Sequence, residues 1–220
     1  MHQLLHARAY LIAELLLIAV AVPVLFMGHM KGGVLFAVLW VMLLYCIFIY
    51  RHLRPDMTIR QFWDGAALRA QGVWKPILVR FVISAIAMTA LLFTINPEKF
   101  LELPTQRTGL WMMIMVMYPL ISVVPQEFIF RTYFFERYKP LFPSRGAMIT
   151  ASALAFGFAH IILQNWVAVG LTTIGGFYFA CTYHKRRSMA LVWAEHALYG
   201  CFLFTIGLGT YFYSGAPNKW

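Results

Sequence analysis

Seven long apolar stretches constrain the fold of this chain more than any other feature of its sequence. A helix needs about 20 mostly apolar residues to cross a bilayer, where lipid offers no partners to backbone polar groups. Charged residues make up only 12% of the 220 residues, against about 25% in soluble domains. We therefore predict an all-α, polytopic membrane helix bundle that forms one integral membrane domain over residues 1–220. The expected spans are 9–27, 34–50, 77–95, 109–129 with a helical extension towards 138, 147–163, 166–183 and 189–208.

Lysine and arginine residues are concentrated in alternate loops, which predicts the orientation of the bundle. The N-terminus and the segments 51–80, 131–145 and 185–187 hold 14 of the 18 basic residues. Because cytoplasmic loops carry an excess of these residues, we predict a cytoplasmic N-terminus and an external C-terminus. The same loops account for the net charge of +10, so no nucleic-acid partner is expected. The N-terminal apolar stretch is predicted to be a first span rather than a removable signal peptide.

The segment 51–76 is the largest of the basic loops. Its apolar residues recur at helical spacing with charged residues between them, which predicts a short amphipathic helix on the membrane surface. This helix would act either as a simple anchor or as a gate for a substrate embedded in lipid. The apolar positions are Ile59, Phe62, Trp63, Ala66, Ala67 and Ala70.

Four ionisable side chains fall inside the apolar stretches, at depths from which a bilayer normally excludes them. They are Glu127, His160, Glu195 and His196. Burying such a group in lipid costs roughly 3 kcal/mol for the worst residue types, unless it faces a polar partner or a wet cavity. Each of the four is therefore a candidate functional residue. Glu14 is a weaker candidate, because it lies near a span end from which its side chain can reach the interface.

Helical geometry brings three of these residues to similar depths. Measured from the basic-side ends of their helices, Glu127, His196 and His160 lie about 16, 12 and 20 Å into the bilayer. They can therefore meet around one cavity open to the cytoplasm. Arg131 follows Glu127 by one helical turn and can pair with it, either as a structural salt bridge or to orient the carboxylate.

One glutamate and two histidines are sufficient to activate a water molecule. The carboxylate can act as a general base, one histidine can carry the proton to a leaving amine, and the other can donate to a developing oxyanion. A zinc ion held by both histidines and a carboxylate is an alternative, although no HExxH pattern is present. A serine nucleophile is disfavoured because no serine lies in a nucleophile-elbow pattern.

Three motifs in order carry a resemblance to a known family. The segment 126–131 (QEFIFR), Phe156 four residues before His160, and His196 resemble the EExxxR, FxxxH and HxxxN motifs of the CPBP/Abi intramembrane glutamic proteases. That family includes the type II CAAX prenyl endopeptidases and bacterial bacteriocin-processing proteins. Order, spacing and placement in late spans match over residues 118–207. The resemblance implies a membrane-embedded endopeptidase, located in a bacterial inner membrane.

Two motif positions depart from the family pattern. Gln126 stands where the prenyl endopeptidases have their water-activating glutamate, and Gly200 stands where they have an asparagine that binds the oxyanion. Either the chain is a distinct branch in which Glu127 or Glu195 supplies the carboxylate, or it has lost catalysis and kept the fold. We favour the distinct branch, because a decayed enzyme has no evident reason to retain these intramembrane carboxylates and histidines.

The predicted function is hydrolysis of a peptide bond in a membrane-associated substrate, without a cofactor or a metal ion. Glu127 is the expected base, His160 its partner and His196 the oxyanion donor. The expected partners are the bilayer and a membrane protein or peptide, such as a C-terminal anchor or a lipidated tail. Supporting residues are Arg131, Gln126 and Glu195, with Asn165 and Tyr199 as candidate replacement donors.

Two other functions would use the same residues. A non-catalytic relative would bind a peptide or a partner membrane protein, for example as an immunity protein. A proton-coupled transporter would use the intramembrane carboxylates and histidines as a relay. The sequence contains no inverted repeat, which counts against the transporter.

Overall fold

The computed structural model describes residues 7–27 and 32–213. Within these two segments the chain forms helices and no strand, and seven helices are long and apolar enough to cross a membrane. Apolar side chains such as Val41 and Ile86, 66% and 67% exposed, lie on the outer surface, which suits contact with lipid. The chain is an all-α integral membrane protein. Helices α1 to α7 run Arg8–Phe26, Gly33–Leu53, Trp74–Ile95, Thr108–Arg137, Arg145–Leu163, Trp166–Arg186 and Met189–Ile206.

All seven predicted spans are confirmed, and α4 extends as a helix to Arg137, close to the expected end. One correction concerns three arginines that the charge pattern assigned to the basic loops. Arg80 lies inside α3, and Arg131 and Arg137 lie inside α4, where their side chains are buried. Each is paired with a buried carboxylate, as described below, so these three residues do not contribute to the charge of the loops.

Helices α5, α6 and α7 each begin at a side chain that caps them. Ser144, Asn165 and Ser188 accept hydrogen bonds from backbone N–H groups of the first turn at 2.8–3.1 Å. Such caps satisfy donors that the start of a helix leaves open. Because the caps fix where α5 and α7 begin, they also fix the depth at which His160 and His196 lie.

Helices α5 and α6 pack with their backbones in close contact. A Cβ atom at Gly157 would overlap the side chain of Thr173, and one at Gly176 would lie 3.0 Å from the Ala153 carbonyl oxygen. Small residues at a helix interface permit this approach, which is the usual way that membrane helices associate. The contact holds α5, which carries His160, firmly against α6.

The loop 51–76 departs from the prediction of one amphipathic helix. It forms two short helical pieces, Ile59–Trp63 and Gly65–Arg69, because Asp64 between them adopts a left-handed conformation with φ of 42°. The Ser188 hydroxyl donates to the Asp64 carbonyl oxygen at 2.9 Å, and the rings of Trp63 and Trp193 are 5.7 Å apart. The loop is therefore docked on the first turns of α7.

Glu14 is a second correction, since its side chain does not reach the interface. It is only 5% exposed and accepts hydrogen bonds from Arg137 Nε at 2.6 Å, from Tyr133 at 3.0 Å and from Tyr45. Tyr45 belongs to α2, and the other two partners belong to the end of α4. One buried carboxylate therefore joins α1, α2 and α4, because its charge is offset by the guanidinium and two hydroxyl donors.

Candidate active site

Glu127 lies in a short α-helical stretch of α4 between two π-helical segments. Val124–Glu127 is flanked by Tyr118–Val123 and Phe128–Tyr133, in which backbone hydrogen bonds span five residues. A proline, which has no N–H to donate, occurs in each of the first two stretches and favours this change of register. Single π-helical turns are frequent at functional sites. They rotate the side chains on either side of them, so the register decides which side chains of α4 face α7.

The Glu127 side chain is fully buried; its Oε1 is hydrogen-bonded, whereas its Oε2 has an ion-pair contact but no hydrogen-bond partner among the described residues. Oε1 lies 2.7 Å from His196 Nδ1, and Oε2 lies 3.3 Å from Arg131 Nε. Arg131 is also fully buried, with its guanidinium 4.5 Å from the centre of the Phe156 ring. The structure thus brings Glu127 together with Arg131, as the sequence predicts. The histidine bound to the carboxylate is His196, however, and His160 makes a different contact.

His196 connects Glu127 to Tyr118. Because a carboxylate only accepts hydrogen bonds, Nδ1 carries the hydrogen, and Nε2 faces the Tyr118 hydroxyl at 3.1 Å. The imidazole is stacked on Phe179 with the ring centres 4.6 Å apart, which fixes its plane. Tyr118 lies outside the three sequence motifs. The available signal was a hydroxyl-bearing side chain next to a proline in the span that carries Glu127.

His160 lies where α5 tightens into its last, 3₁₀-helical turn, and it is less enclosed than His196. Its Nδ1 donates to the Phe156 carbonyl oxygen at 2.8 Å, so that Nε2 is the acceptor of the ring. The Phe156 ring lies 4.8 Å from the His160 ring and 5.5 Å from the His196 ring. The two imidazoles therefore flank one aromatic side chain, and that side chain comes from the second motif.

Gln126 is half-buried beside Glu127 and is only partly hydrogen-bonded. Its Nε2 donates to Ser122 Oγ at 2.8 Å, whereas its Oε1 is buried without a partner among the described residues. A buried amide oxygen normally accepts a hydrogen bond. Gln126 therefore has a free acceptor that could receive a backbone N–H or a water molecule.

Glu195 lies next to His196 in α7 but makes a separate ion pair. Its side chain is fully buried, and Oε1 accepts a hydrogen bond from Arg80 Nη2 at 2.8 Å. The same nitrogen lies 2.9 Å from the Thr182 hydroxyl. Neighbouring residues on a helix point about 100° apart, so the two side chains reach different partners. Glu195 is thereby held between α3, α6 and α7.

The two candidate replacement donors make structural contacts. The Asn165 amide nitrogen donates to the carbonyl oxygens of Leu163 and Tyr211 at 3.2 and 2.9 Å, while its oxygen caps α6. The Tyr199 ring packs edge-on against Phe81, with the ring centres 5.4 Å apart. In the part of the chain that the structure describes, neither residue hydrogen-bonds to either candidate histidine.

The zinc site considered as an alternative is not assembled by the described residues. Within 7–27 and 32–213, no three histidine, cysteine, aspartate or glutamate side chains form a group that could hold a metal ion. Two cavities, of about 430 and 440 Å³, lie near opposite ends of the bundle. Neither cavity is lined by Glu127, His160 or His196, so neither is the cytoplasmic cavity that the sequence predicts.

Comparison with known proteins gives one match, which covers the helices that carry the site. Residues 107–202 match the family model described as type II CAAX prenyl endopeptidase Rce1-like. Neither the curated proteins nor the solved structures give a significant match. The family match implies a CAAX-type membrane peptidase that acts on a membrane-associated peptide. The resemblance seen in the sequence is thus confirmed: residues 107–202 of this chain are similar to the Rce1-like type II CAAX prenyl endopeptidases.

Proposed function

We propose that this protein hydrolyses a peptide bond of a membrane-associated substrate with a water molecule activated by Glu127, His160 and His196, without a metal ion. The observation that carries the proposal is the buried 2.7 Å hydrogen bond between Glu127 and His196. Because both histidines flank the Phe156 ring, a peptide bond near this ring would be within reach of two imidazoles. The family match supports the same class of reaction.

The contacts favour a division of roles that differs from the one expected from the sequence. Glu127 has no exposure to solvent, and its carboxylate is bound to His196 and paired with Arg131, which supports a role in holding His196 rather than in taking a proton from water. We assign the base to His160, because its Nε2 is an acceptor on the less enclosed ring. His196, which Glu127 holds in place, would help to stabilise the charge that develops on the substrate carbonyl oxygen.

The proposed reaction proceeds in two steps. The water oxygen first bonds to the carbonyl carbon while His160 Nε2 takes one of its protons, and the carbonyl electron pair moves onto oxygen. The tetrahedral intermediate then collapses, the C–N bond breaks, and His160 returns the proton to the departing amine. The free Oε1 of Gln126 would accept a hydrogen bond from the substrate backbone and hold the peptide in place. Arg131 keeps the Glu127 carboxylate oriented towards His196.

The experiment compares the termini of membrane proteins in host cells that carry the natural sequence or a variant at matched expression. His160→Ala and Glu127→Gln should each remove the same set of trimmed termini. His52→Ala is the matched control, because His52 is an exposed histidine at the end of α2. Identical termini in all four strains would overturn the peptidase and favour a non-catalytic binding role.

We also propose that the protein lies in a bacterial inner membrane with its N-terminus in the cytoplasm. The support is the concentration of basic residues in alternate loops. In a background lacking the native cysteines, Thr105→Cys should react with a membrane-impermeant maleimide on intact cells. Gln71→Cys, also at an exposed position, should react only after the cells are opened. The reverse pattern would overturn the proposed orientation.

A further inference from the structure

Gly200 leaves a space in α7 that the Tyr118 side chain occupies. A Cβ atom at position 200 would overlap both the ring and the hydroxyl of Tyr118. The Tyr118 ring is further enclosed by Phe204 and His196, with ring centres 5.2 and 6.1 Å away. A larger residue at position 200 and a tyrosine in this orientation are therefore mutually exclusive. Gly200, which differs from the asparagine of the third motif, therefore provides the space that the Tyr118 ring occupies.

The first π-helical segment of α4 directs Tyr118 towards one face of α7. Trp193, His196 and Gly200 are three and four residues apart, so their side-chain positions lie on the same face of that helix. Trp193 Nε1 donates to the Pro119 carbonyl oxygen at 2.8 Å, one residue from the contact between Tyr118 and His196. Two adjacent residues of α4 are thus bound to two turns of α7, which holds the hydroxyl in place.

We propose that the Tyr118 hydroxyl donates a hydrogen bond to the oxyanion formed from the substrate carbonyl, in place of a side-chain donor at position 200. This inference rests on the peptidase function proposed above. A phenol oxygen can accept one hydrogen bond while its O–H donates another. When His196 carries hydrogen on both nitrogens, Nε2 donates to the Tyr118 oxygen and the phenol hydrogen is free for the substrate. Glu127, His196 and Tyr118 then form a continuous hydrogen-bonded chain that ends at the reacting oxygen.

The test uses the purified full-length protein in lipid nanodiscs with a peptide spanning a cleavage site found in the comparison of termini. Tyr118→Phe keeps the ring against Gly200 and removes only the donor. We expect kcat to fall by about 10²–10³-fold with little change in KM, which is the usual effect of removing one oxyanion donor. The unfolding temperature should stay near that of the natural protein, and Gly200→Ala, which displaces the tyrosine, should also lower kcat.

A thioamide substrate separates a donor from a residue that only positions His196. Sulfur accepts hydrogen bonds poorly, so replacing the carbonyl oxygen should slow the natural protein much more than Tyr118→Phe. An equal slowing of both would overturn the donor role. If Tyr118→Phe has the same kcat as the natural protein while His160→Ala is inactive, the donor role of Tyr118 is overturned but the peptidase function stands. No cleavage by the natural protein beyond that of His160→Ala would overturn the proposed function itself.

As a second check, Gly200→Asn should raise the kcat of Tyr118→Ala, and no gain would count against the inference.

Discussion

The ion pair between Glu127 and Arg131 has no exposure to solvent, so its effect on stability should depend on the presence of both charges. At the observed separation of 3.3 Å, the Coulomb attraction is about 5 kcal/mol for an effective dielectric constant of about 20. Arg131→Met keeps much of the side-chain volume but leaves the carboxylate without its counter-charge. The free energy of unfolding should therefore fall by about 3–5 kcal/mol. Combining it with Glu127→Gln removes both charges and should cost clearly less than the two single changes added together.

The assay is reversible denaturant unfolding in detergent micelles, followed by tryptophan fluorescence, for the natural protein, the two single variants and the double variant. The matched control is Arg54→Met, because Arg54 and Glu136 are 3.2 Å apart but each is about one third exposed. An ion pair with that exposure contributes at most about 1 kcal/mol. If the losses in the Glu127 and Arg131 variants simply add, the two residues are not energetically coupled and the reasoning is refuted.

Three further predictions concern the packing around the site. Glu14→Gln removes the charge that faces Arg137 at 2.6 Å and should lower the free energy of unfolding by about 3 kcal/mol. The same denaturant titration measures this, and an unchanged midpoint would contradict the buried ion pair. Ser152→Ala removes a hydroxyl that donates at 2.8 Å to the Phe130 carbonyl oxygen in the second π-helical segment, so the free energy of unfolding should fall by about 1–3 kcal/mol. No fall would mean that another donor replaces the hydroxyl. Gly157→Val drives a side chain into α6 and should abolish the monodisperse peak on size-exclusion chromatography. Gly146→Val, at a position with open space, should elute normally, and the same profile for both would contradict the close contact.

The spans and the contact between Glu127 and Arg131 were predictable from the sequence because both depend on local properties. Hydropathy over 20 residues reports whether a segment can cross a membrane, and the spacing of Glu127 and Arg131 places them on one face of any helix. The partner of each ionisable group was not predictable in the same way. His196 rather than His160 binds Glu127, because the π-helical segments of α4 change which side chains face α7.

The contact of Tyr118 with His196 and the pairing of Glu195 with Arg80 required the structure for a related reason. Both contacts join helices that are far apart in the sequence, and an apolar span carries little information about its rotation around its own axis. Glycine has no side chain, so a comparison of motifs shows only that the asparagine is lost at position 200. The side chain that fills the space beside Gly200 comes from α4, which begins about 90 residues earlier, at a position outside the three motifs.

The contact between Glu14 and Arg137 has a consequence for how the protein is made. The two residues are 123 positions apart, which at about 5–20 residues per second separates their synthesis by roughly 6–25 s. During that interval α1 carries a carboxylate whose arginine partner does not yet exist, and leaving it in the bilayer core costs roughly 3 kcal/mol. Tyr45 in α2 is available much sooner, 31 residues after Glu14, and offers a first donor. The final packing of α1 therefore waits for α4, so α1 leaves the ribosome before the other six described helices but is among the last of them to reach its native position.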